Sequence, residues 1–383
     1  MSVTAAQGFV AAGIAAGIKA SGRKDLALVR NLGPRFDAAG VFTANRITAA
    51  PVVWSRAAVA DGRLDAVVLN SGGANACTGP EGFADTHHTA ECSAEVLGVS
   101  AGDVAVCSTG LIGARLPMEP LLAGVARAAG DLSPDGGGSA AEAIMTTDTH
   151  PKEAVRGRDG WTVGGMAKGA GMLAPGLATM LVVLTTDAVA DPATLRRALV
   201  EACRLTFDRL DSDGCMSTND TVLLLSSGAS GITPDPAELT AELTDLCADL
   251  GRLLIGDAEG AAHDIAVTVR TAASEDDAVD VARTIARSNL FKCAVFGRDP
   301  NWGRVLSALG TTAAAFEPDG IDVTFNGVTV CRGGAIGDPR ELVDLTPRQV
   351  EVIVDLHAGE AGATVLTNDL TYDYVKENAE YSS

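Results

Sequence analysis

Apolar residues follow two different rhythms along this chain of 383 residues. Short apolar runs at 66–69, 104–107, 180–184 and 222–225, and the alternation of Ile265, Val267 and Val269, predict strands. A helical period follows Asp235, where Leu239, Leu243, Leu246, Leu250 and Leu253 recur at spacings of three and four and predict a helix packed on a sheet. The first N–H groups of a helix need side-chain acceptors, so Ser139 with Glu142, Asp235 with Pro236 and Glu238, and Thr346 with Pro347 and Gln349 read as helix starts. Asn326-Gly327 between Phe325 and Val328 suits the positive φ angles of a two-residue hairpin turn. Residues 133–138, Ser-Pro-Asp-Gly-Gly-Gly, read as a loop or linker. Helices falling between strands predict a layered α/β fold of helices and mixed sheets.

Composition sharpens that picture. Apolar residues make up 47% and charged residues 20%, which is the mixture of a packed protein rather than a disordered one. Aromatics are only 4%, so the core is built from Ala, Val, Leu and Ile around many of the 43 glycines. A net charge of -20 argues against a nucleic-acid partner, whose phosphates need Lys and Arg. The eight cysteines, at 77, 92, 107, 203, 215, 247, 293 and 331, show no zinc-ligand spacing and fit free thiols in a reducing cytoplasm. The N-terminus lacks the basic stretch and apolar core of a secretory signal, and its Ala-rich segment at 9–18 is too short for a membrane span.

The short signatures of many enzymes are missing: no Gly-x-Ser-x-Gly, no His-Glu-x-x-His, no phosphate loop ending in Gly-Lys-Ser/Thr. The five histidines, at 87, 88, 150, 263 and 357, have no triad context. Attention therefore falls on residues 168–179, Lys-Gly-Ala-Gly-Met-Leu-Ala-Pro-Gly-Leu-Ala-Thr, a glycine-rich loop leading into the apolar run that begins at Met180. Cleavage before Thr179 would give one residue both a hydroxyl and a free α-amine. With a reference pKa near ~8, that amine can accept the proton of its own hydroxyl, so nucleophile and base come as a unit without histidine. Without cleavage, Thr179 is simply a β-branched residue at a strand entrance.

This segment resembles the cleavage region of the ornithine acetyltransferase (glutamate N-acetyltransferase) family of arginine biosynthesis. The resemblance is carried in order by Gly17-Ile-Lys19, Phe42-Thr-Ala-Asn45, Asn70-Ser-Gly-Gly-Ala-Asn-Ala-Cys-Thr-Gly79, Ser108-Thr-Gly-Leu-Ile-Gly113 and Thr146-Thr-Asp-Thr-His-Pro-Lys152. Ser217-Thr-Asn-Asp-Thr221, Gly256-Asp-Ala-Glu-Gly260, Gly297-Arg-Asp-Pro-Asn-Trp-Gly-Arg304 and Asn378 continue it across the chain. Four departures stand out: Gly73 where the family commonly has Asn, Ala44 for Thr, Leu177 for Met, and a tail ending Glu380-Tyr-Ser-Ser383 without the usual Arg.

The resemblance implies the N-terminal-nucleophile-like fold of this family and the related aminopeptidases, and self-cleavage between Ala178 and Thr179. The resulting chains, 1–178 and 179–383, would share one compact fold with a smaller C-terminal lobe. It also implies ping-pong transfer of acetyl from N2-acetylornithine to glutamate through an acetyl ester on Thr179, with acetyl-CoA as an alternative donor in some members. Oxyanion donors would come from Thr109 and Gly110, which alone read as an ordinary turn. The substrate pocket would comprise Thr146, Lys168, Thr179, Glu259, Asn378 and Ser383, where Lys168 and Glu259 are opposite-sign anchors for an amino acid. Taken alone, Lys168 reads as a solvated loop charge and Glu259 as a solvated helix end. No metal or other cofactor is expected: Gly169-Ala-Gly171 is read as preceding a strand, not following one and opening a helix as dinucleotide binding requires. The expected assembly is a cytoplasmic heterotetramer of two chain pairs, with no nucleic-acid or membrane partner. Two rival readings are an N-terminal-nucleophile aminopeptidase or amidase with water as acceptor, and an uncleaved amino-acid-binding regulatory protein.

Overall fold

A computed structural model describes residues 2–174 and 180–380. Two sheets lie face to face at its centre. One is mixed and four-stranded, with β1 (Phe9–Ile14), β2 (Leu26–Asn31), β4 (Ala66–Asn70) and β5 (Val104–Ser108) side by side. The other has the order β3 (Asp37–Phe42), β9 (Thr221–Ser226), β8 (Leu181–Thr186), β7 (Trp161–Lys168), β6 (Lys152–Arg158). Within them β4 and β5 run parallel, as do β8 and β9, whereas β7 is antiparallel to β8.

The apolar runs are uninterrupted because both faces of these strands are covered. On β8, Leu181 and Val183 point into the core shared with the four-stranded sheet, while Val182 and Leu184 face the helices α5 (Pro192–Leu205) and α6 (Pro236–Gly256). The outer face of the four-stranded sheet is packed by α2 (Gly79–Leu97) and α3 (Met118–Gly130), and α1 (Ala50–Ala58) packs against β5. The result is a four-layer αββα sandwich. Helix α6 follows the leucine stripe: Leu239, Leu243, Leu246 and Leu250 are fully buried, its side packs on β6 and β7, and Asp235 caps its start through the Ala237 N–H. Leu254 is the fully buried end of the stripe, with Leu253 partly buried against the same core.

A third, six-stranded sheet forms a C-terminal lobe with its own core, in the order β13 (Ala335–Ile336), β12 (Val328–Arg332), β11 (Asp322–Phe325), β14 (Gln349–Asp355), β10 (Asp264–Ala272), β15 (Ala361–Asn368). Helices α7 (Glu275–Ala286), α8 (Asn289–Phe296) and α9 (Trp302–Leu309) contribute to that core. Ile265, Val267 and Val269 face it from β10, and Asn326 and Gly327 take φ values of 43° and 85° in the β11–β12 hairpin. The chain ends in α10 (Tyr372–Glu380).

Two local expectations fail and a third holds in part. Thr346-Pro347-Gln349 does not begin a helix but leads into β14, where the period-two alternation of Val350, Val352 and Val354 outweighs the capping pattern. Ser139 and Glu142 lie inside a short helix, α4 (Gly137–Ala143), and both hold Lys24 instead of capping. Residues 133–136 do form a loop, though one fixed to the sheet, since Ser133 exchanges backbone hydrogen bonds with Ala11 of β1, whereas Gly137 and Gly138 already belong to α4.

Candidate active site

The two central sheets end together at one edge, and the polar residues that follow each apolar run meet there. Beyond β4 and β5 the loops 71–74 and 109–112 lie side by side, joined by a hydrogen bond from the Gly73 N–H to the Thr109 carbonyl at 3.0 Å. Gly110 has a φ of 130°, and a Cβ there would meet the Gly73 nitrogen at 2.8 Å, so backbone closeness demands glycine. The Thr109 N–H is taken by the Asn70 carbonyl at 3.0 Å. The Gly110 N–H has no acceptor among the described residues.

A buried amide and hydroxyl network fixes this corner. Ser108 donates its hydroxyl to Asn70 Oδ1 at 2.6 Å, and Asn70 Nδ2 donates to the Gly73 carbonyl at 3.0 Å. Asn219, from the loop before β9, donates to the carbonyls of Ala74 at 2.6 Å and Ser108 at 2.8 Å, tying one sheet to the other. These three residues lie within motifs visible in the sequence, but the sequence reading assigned them no role. Their only signal is position: each is a polar residue at the boundary of an apolar run.

Lys168 ends β7 and is 1% exposed, so it is a buried cation rather than a solvated loop charge. Its ammonium donates to Thr109 Oγ1 at 3.1 Å. A hydroxyl that accepts from a lysine keeps its own proton to donate elsewhere, so the Thr109 O–H and the Gly110 N–H are two donors on one loop. Burial lowers the Lys168 pKa, opposed chiefly by the charge of Asp148. Burial alone would raise Asp148, but Lys168 and Lys152 outweigh it and hold its pKa at about 2. Asp148 accepts from Lys152 at 2.6 Å, from the Gly169 N–H at 2.8 Å and from the Thr146 N–H at 2.9 Å. Lys152, fully buried, also donates to Asp257 at 2.6 Å. One ion cluster therefore sets the positions of both Thr146 and the start of the 169–174 loop.

Glu259 lies three residues beyond α6, with its N–H on the Ala170 carbonyl at 3.0 Å. Its carboxylate sits directly over Gly171, where a Cβ would meet both oxygens at 2.7 Å. The next residue, Gly260, receives α10 so closely that a Cβ would meet the Tyr374 nitrogen at 2.2 Å, and its carbonyl accepts from Thr371 at 2.6 Å. That docking carries Asn378 to Glu259, with Nδ2 to Oε2 at 3.2 Å. Gly169-Ala-Gly171 does follow a strand, contrary to the expectation above, yet it leads toward β8 and opens no helix.

Thr109, Gly110, Thr146, Lys168, Glu259 and Asn378 all line one cleft of about 730 Å³, together with Lys19, Arg23, Asn219 and Asp148. Ala178, Thr179 and Ser383 lie outside the described residues. The described residues on either side of 175–179 are Ala174 and Met180, both buried, and the Met180 N–H donates to Asp220 at 3.1 Å. Burial raises the Asp220 carboxyl well above the usual range, only partly offset by that N–H and by Lys168, and its second oxygen has no partner among the described residues. Of the histidines, His263 is a packing residue, held between Asp369 at 2.6 Å and the Leu345 carbonyl at 3.1 Å. Among the described residues no cluster of potential metal ligands occurs, and no helix is long and apolar enough to cross a membrane.

A family model described as the ArgJ family matches residues 10–383. The arginine biosynthesis bifunctional protein ArgJ of Streptomyces coelicolor is 66% identical over 383 residues, covering all of both chains. The protein of the same name from Mycobacterium tuberculosis is 58% identical over 389 aligned positions, covering all of this chain and 96% of the relative. Among solved structures, ornithine acetyltransferase of Mycobacterium tuberculosis in complex with ornithine is 60% identical, covering 47% of this chain and 96% of that chain, with a TM-score of 0.45.

Proposed function

This chain belongs to the ArgJ family, and from that premise we propose that it is an acetyltransferase of arginine biosynthesis that moves acetyl from N2-acetylornithine to glutamate through Thr179. The observation that carries the mechanism is the pair of donors at Thr109 and Gly110, opening on the same cleft as Lys168 and Glu259. In self-processing, the Thr179 hydroxyl attacks the Ala178 carbonyl, the peptide nitrogen leaves as the Thr179 amine, and water hydrolyses the ester to free the Ala178 carboxylate. In turnover, the same hydroxyl attacks the acetyl carbonyl while its proton passes to the α-amine and on to the departing ornithine nitrogen. Glutamate's neutral amine then attacks the ester carbonyl, the carbon–oxygen bond to Thr179 breaks, and the amine's surplus proton passes through the α-amine to the Thr179 oxygen, restoring the hydroxyl and releasing N-acetylglutamate.

Each tetrahedral intermediate places a negative oxygen where preformed donors are most effective. The Thr109 hydroxyl, oriented by Lys168, and the Gly110 N–H supply two. Glu259 and Lys168 offer opposite charges for an amino acid's ammonium and carboxylate, with Thr146 and Asn378 completing the walls and Ser383 assigned to the same pocket. The chains 1–178 and 179–383 would remain joined because β7 and β8 pair along their length. Acetyl-CoA as a second donor, a heterotetrameric assembly and a cytoplasmic location complete the reading.

The deciding experiment is incubation with N2-acetylornithine, with and without glutamate. Formation of N-acetylglutamate supports transfer, whereas steady release of acetate in both cases would make the protein a hydrolase. Replacing Thr109 by Val is expected to lower kcat by ~10²–10³-fold, with Thr109→Ser restoring most of it. An unchanged kcat in the valine variant would remove Thr109 from the mechanism.

A further inference from the structure

Lys19 sits on the turn between β1 and β2 and lines the cleft. That turn is unusually well fixed for a loop. The buried carboxylate of Asp25 accepts the N–H groups of Ala16 at 2.6 Å, Gly17 at 3.2 Å, Ile18 at 2.7 Å and Lys19 at 2.8 Å. Ile18 packs on Gly72 so tightly that a Cβ at Gly72 would lie 2.1 Å from it, which binds the turn to the loop beside Thr109 and Gly110. The Lys19 ammonium donates to the Met145 carbonyl at 2.6 Å and the Lys24 carbonyl at 3.2 Å. A lysine has three N–H donors, and the third is left for the cleft.

Of the other charged groups of the cleft, Asp148 is taken by Lys152 and two backbone N–H groups, Lys168 donates to Thr109 and Glu259 accepts from Asn378, while Arg23 stands on the same turn as a second cation near Lys19. The two substrates of the proposed reaction differ most at the far end of the side chain, where ornithine carries an ammonium and glutamate a carboxylate. A strong fixed cation there would hold glutamate and repel ornithine. A half-buried lysine whose ammonium is tethered by carbonyls can hold a carboxylate and still give up its proton.

Resting on the acetyl-transfer reading above, we propose that Lys19 is a specificity residue of the cleft, donating its free N–H to the side-chain carboxylate of the dicarboxylic acceptor. Burial lowers the Lys19 pKa to about 8, with Asp25 opposing and Arg23 and Lys168 assisting, and Asp148 opposing more weakly. Lys24, on the same turn, is paired with Glu142 of α4. Lys19 thus loses its proton within a pH range that enzymes tolerate, and affinity for glutamate falls as pH rises through about 8.

The test separates the two halves of the cycle in wild-type protein and in Lys19→Gln, which keeps a donor for the Met145 carbonyl. Exchange of labelled ornithine into N2-acetylornithine needs no glutamate and reports the donor half alone. Acetyl transfer to glutamate reports the acceptor half. The expected result is a ~10–100-fold fall in kcat/KM for glutamate relative to the exchange rate, the size expected for losing a charged hydrogen bond. Lys19→Arg should recover part of it, and the rise of the glutamate KM between pH 7 and 9 should disappear in Lys19→Gln. Equal losses in both halves would overturn the proposal by making Lys19 a support for the 145–146 loop or an anchor common to both substrates, and so would no loss in either. Absence of exchange in the wild-type protein would instead overturn the acetyl-transfer reading itself.

Discussion

Thr179→Ala is expected to leave one unbroken polypeptide of about 38.9 kDa, and the unsubstituted protein is expected to give two fragments, the second beginning Thr-Met-Leu-Val-Val. Without the hydroxyl neither the shift of the acyl group from nitrogen to oxygen nor the acetyl ester can form. Activity should therefore fall by ~10⁴-fold or more, the scale seen when a covalent nucleophile is removed. Thr179→Ser keeps the hydroxyl and should cleave and turn over. A denaturing mass spectrum with N-terminal sequencing reads the first result, and product formation reads the second. An unsubstituted protein that is fully active as a single intact chain would remove the self-deprotonating amine and with it the mechanism.

The second large effect is on stability. Lys152→Ala removes the only cation that bonds both Asp148 and Asp257 among the described residues, a fully buried one. Two buried carboxylates then lose the cation they share, Asp148 keeping Lys168 and two backbone N–H groups and Asp257 keeping Thr149, and stability at pH 7 should drop by about 3 kcal/mol, measurable as a lower urea midpoint. The effect has a pH signature. Asp148 is held at about 2, below its unfolded value near 3.8, so its contribution is present above pH 3.8 and is lost as pH falls toward 2. In Lys152→Ala the share of that contribution owed to Lys152 is gone while the shares of Lys168 and the Thr146 N–H remain, so the gap between the two midpoints should narrow between pH 4 and 2. A constant gap over that range would mean that Lys152 acts through packing of its carbon stem instead of its charge. Because Asp148 also receives the Gly169 and Thr146 N–H groups, the variant should lose activity along with stability.

Much of the central sandwich was legible from periodicity. The runs at 66–69, 104–107 and 222–225 are β4, β5 and β9, and the leucine stripe after Asp235 is α6, because burial on two faces or on one stripe leaves a pattern that needs no knowledge of the partner. Capping signatures failed where a stronger local demand competed. Thr346-Pro347-Gln349 precedes an alternating strand, and Ser139 with Glu142 serves the distant Lys24. The candidate site was reached through motifs in family order, and the described members of it do meet in one cleft. What periodicity and motif could not supply was the burial of Lys168, the cluster of Lys152 with Asp148 and Asp257, or the bridge made by Asn219.

From sequence alone came the αβ layering, the family and the proposal of Thr179 as joint nucleophile and base, since these depend on local pattern and on the chemistry of a single side chain. The tertiary structure alone decided which way that chemistry is surrounded. Asn219 reaches Ala74 across 145 positions and Lys152 reaches Asp257 across 105. The charge state of Asp148 and the direction of the Thr109 hydroxyl follow from such contacts. A hydrogen bond or ion pair between distant segments imposes no spacing on the chain between them, so it leaves no rhythm to read, and only folding brings the two groups within reach.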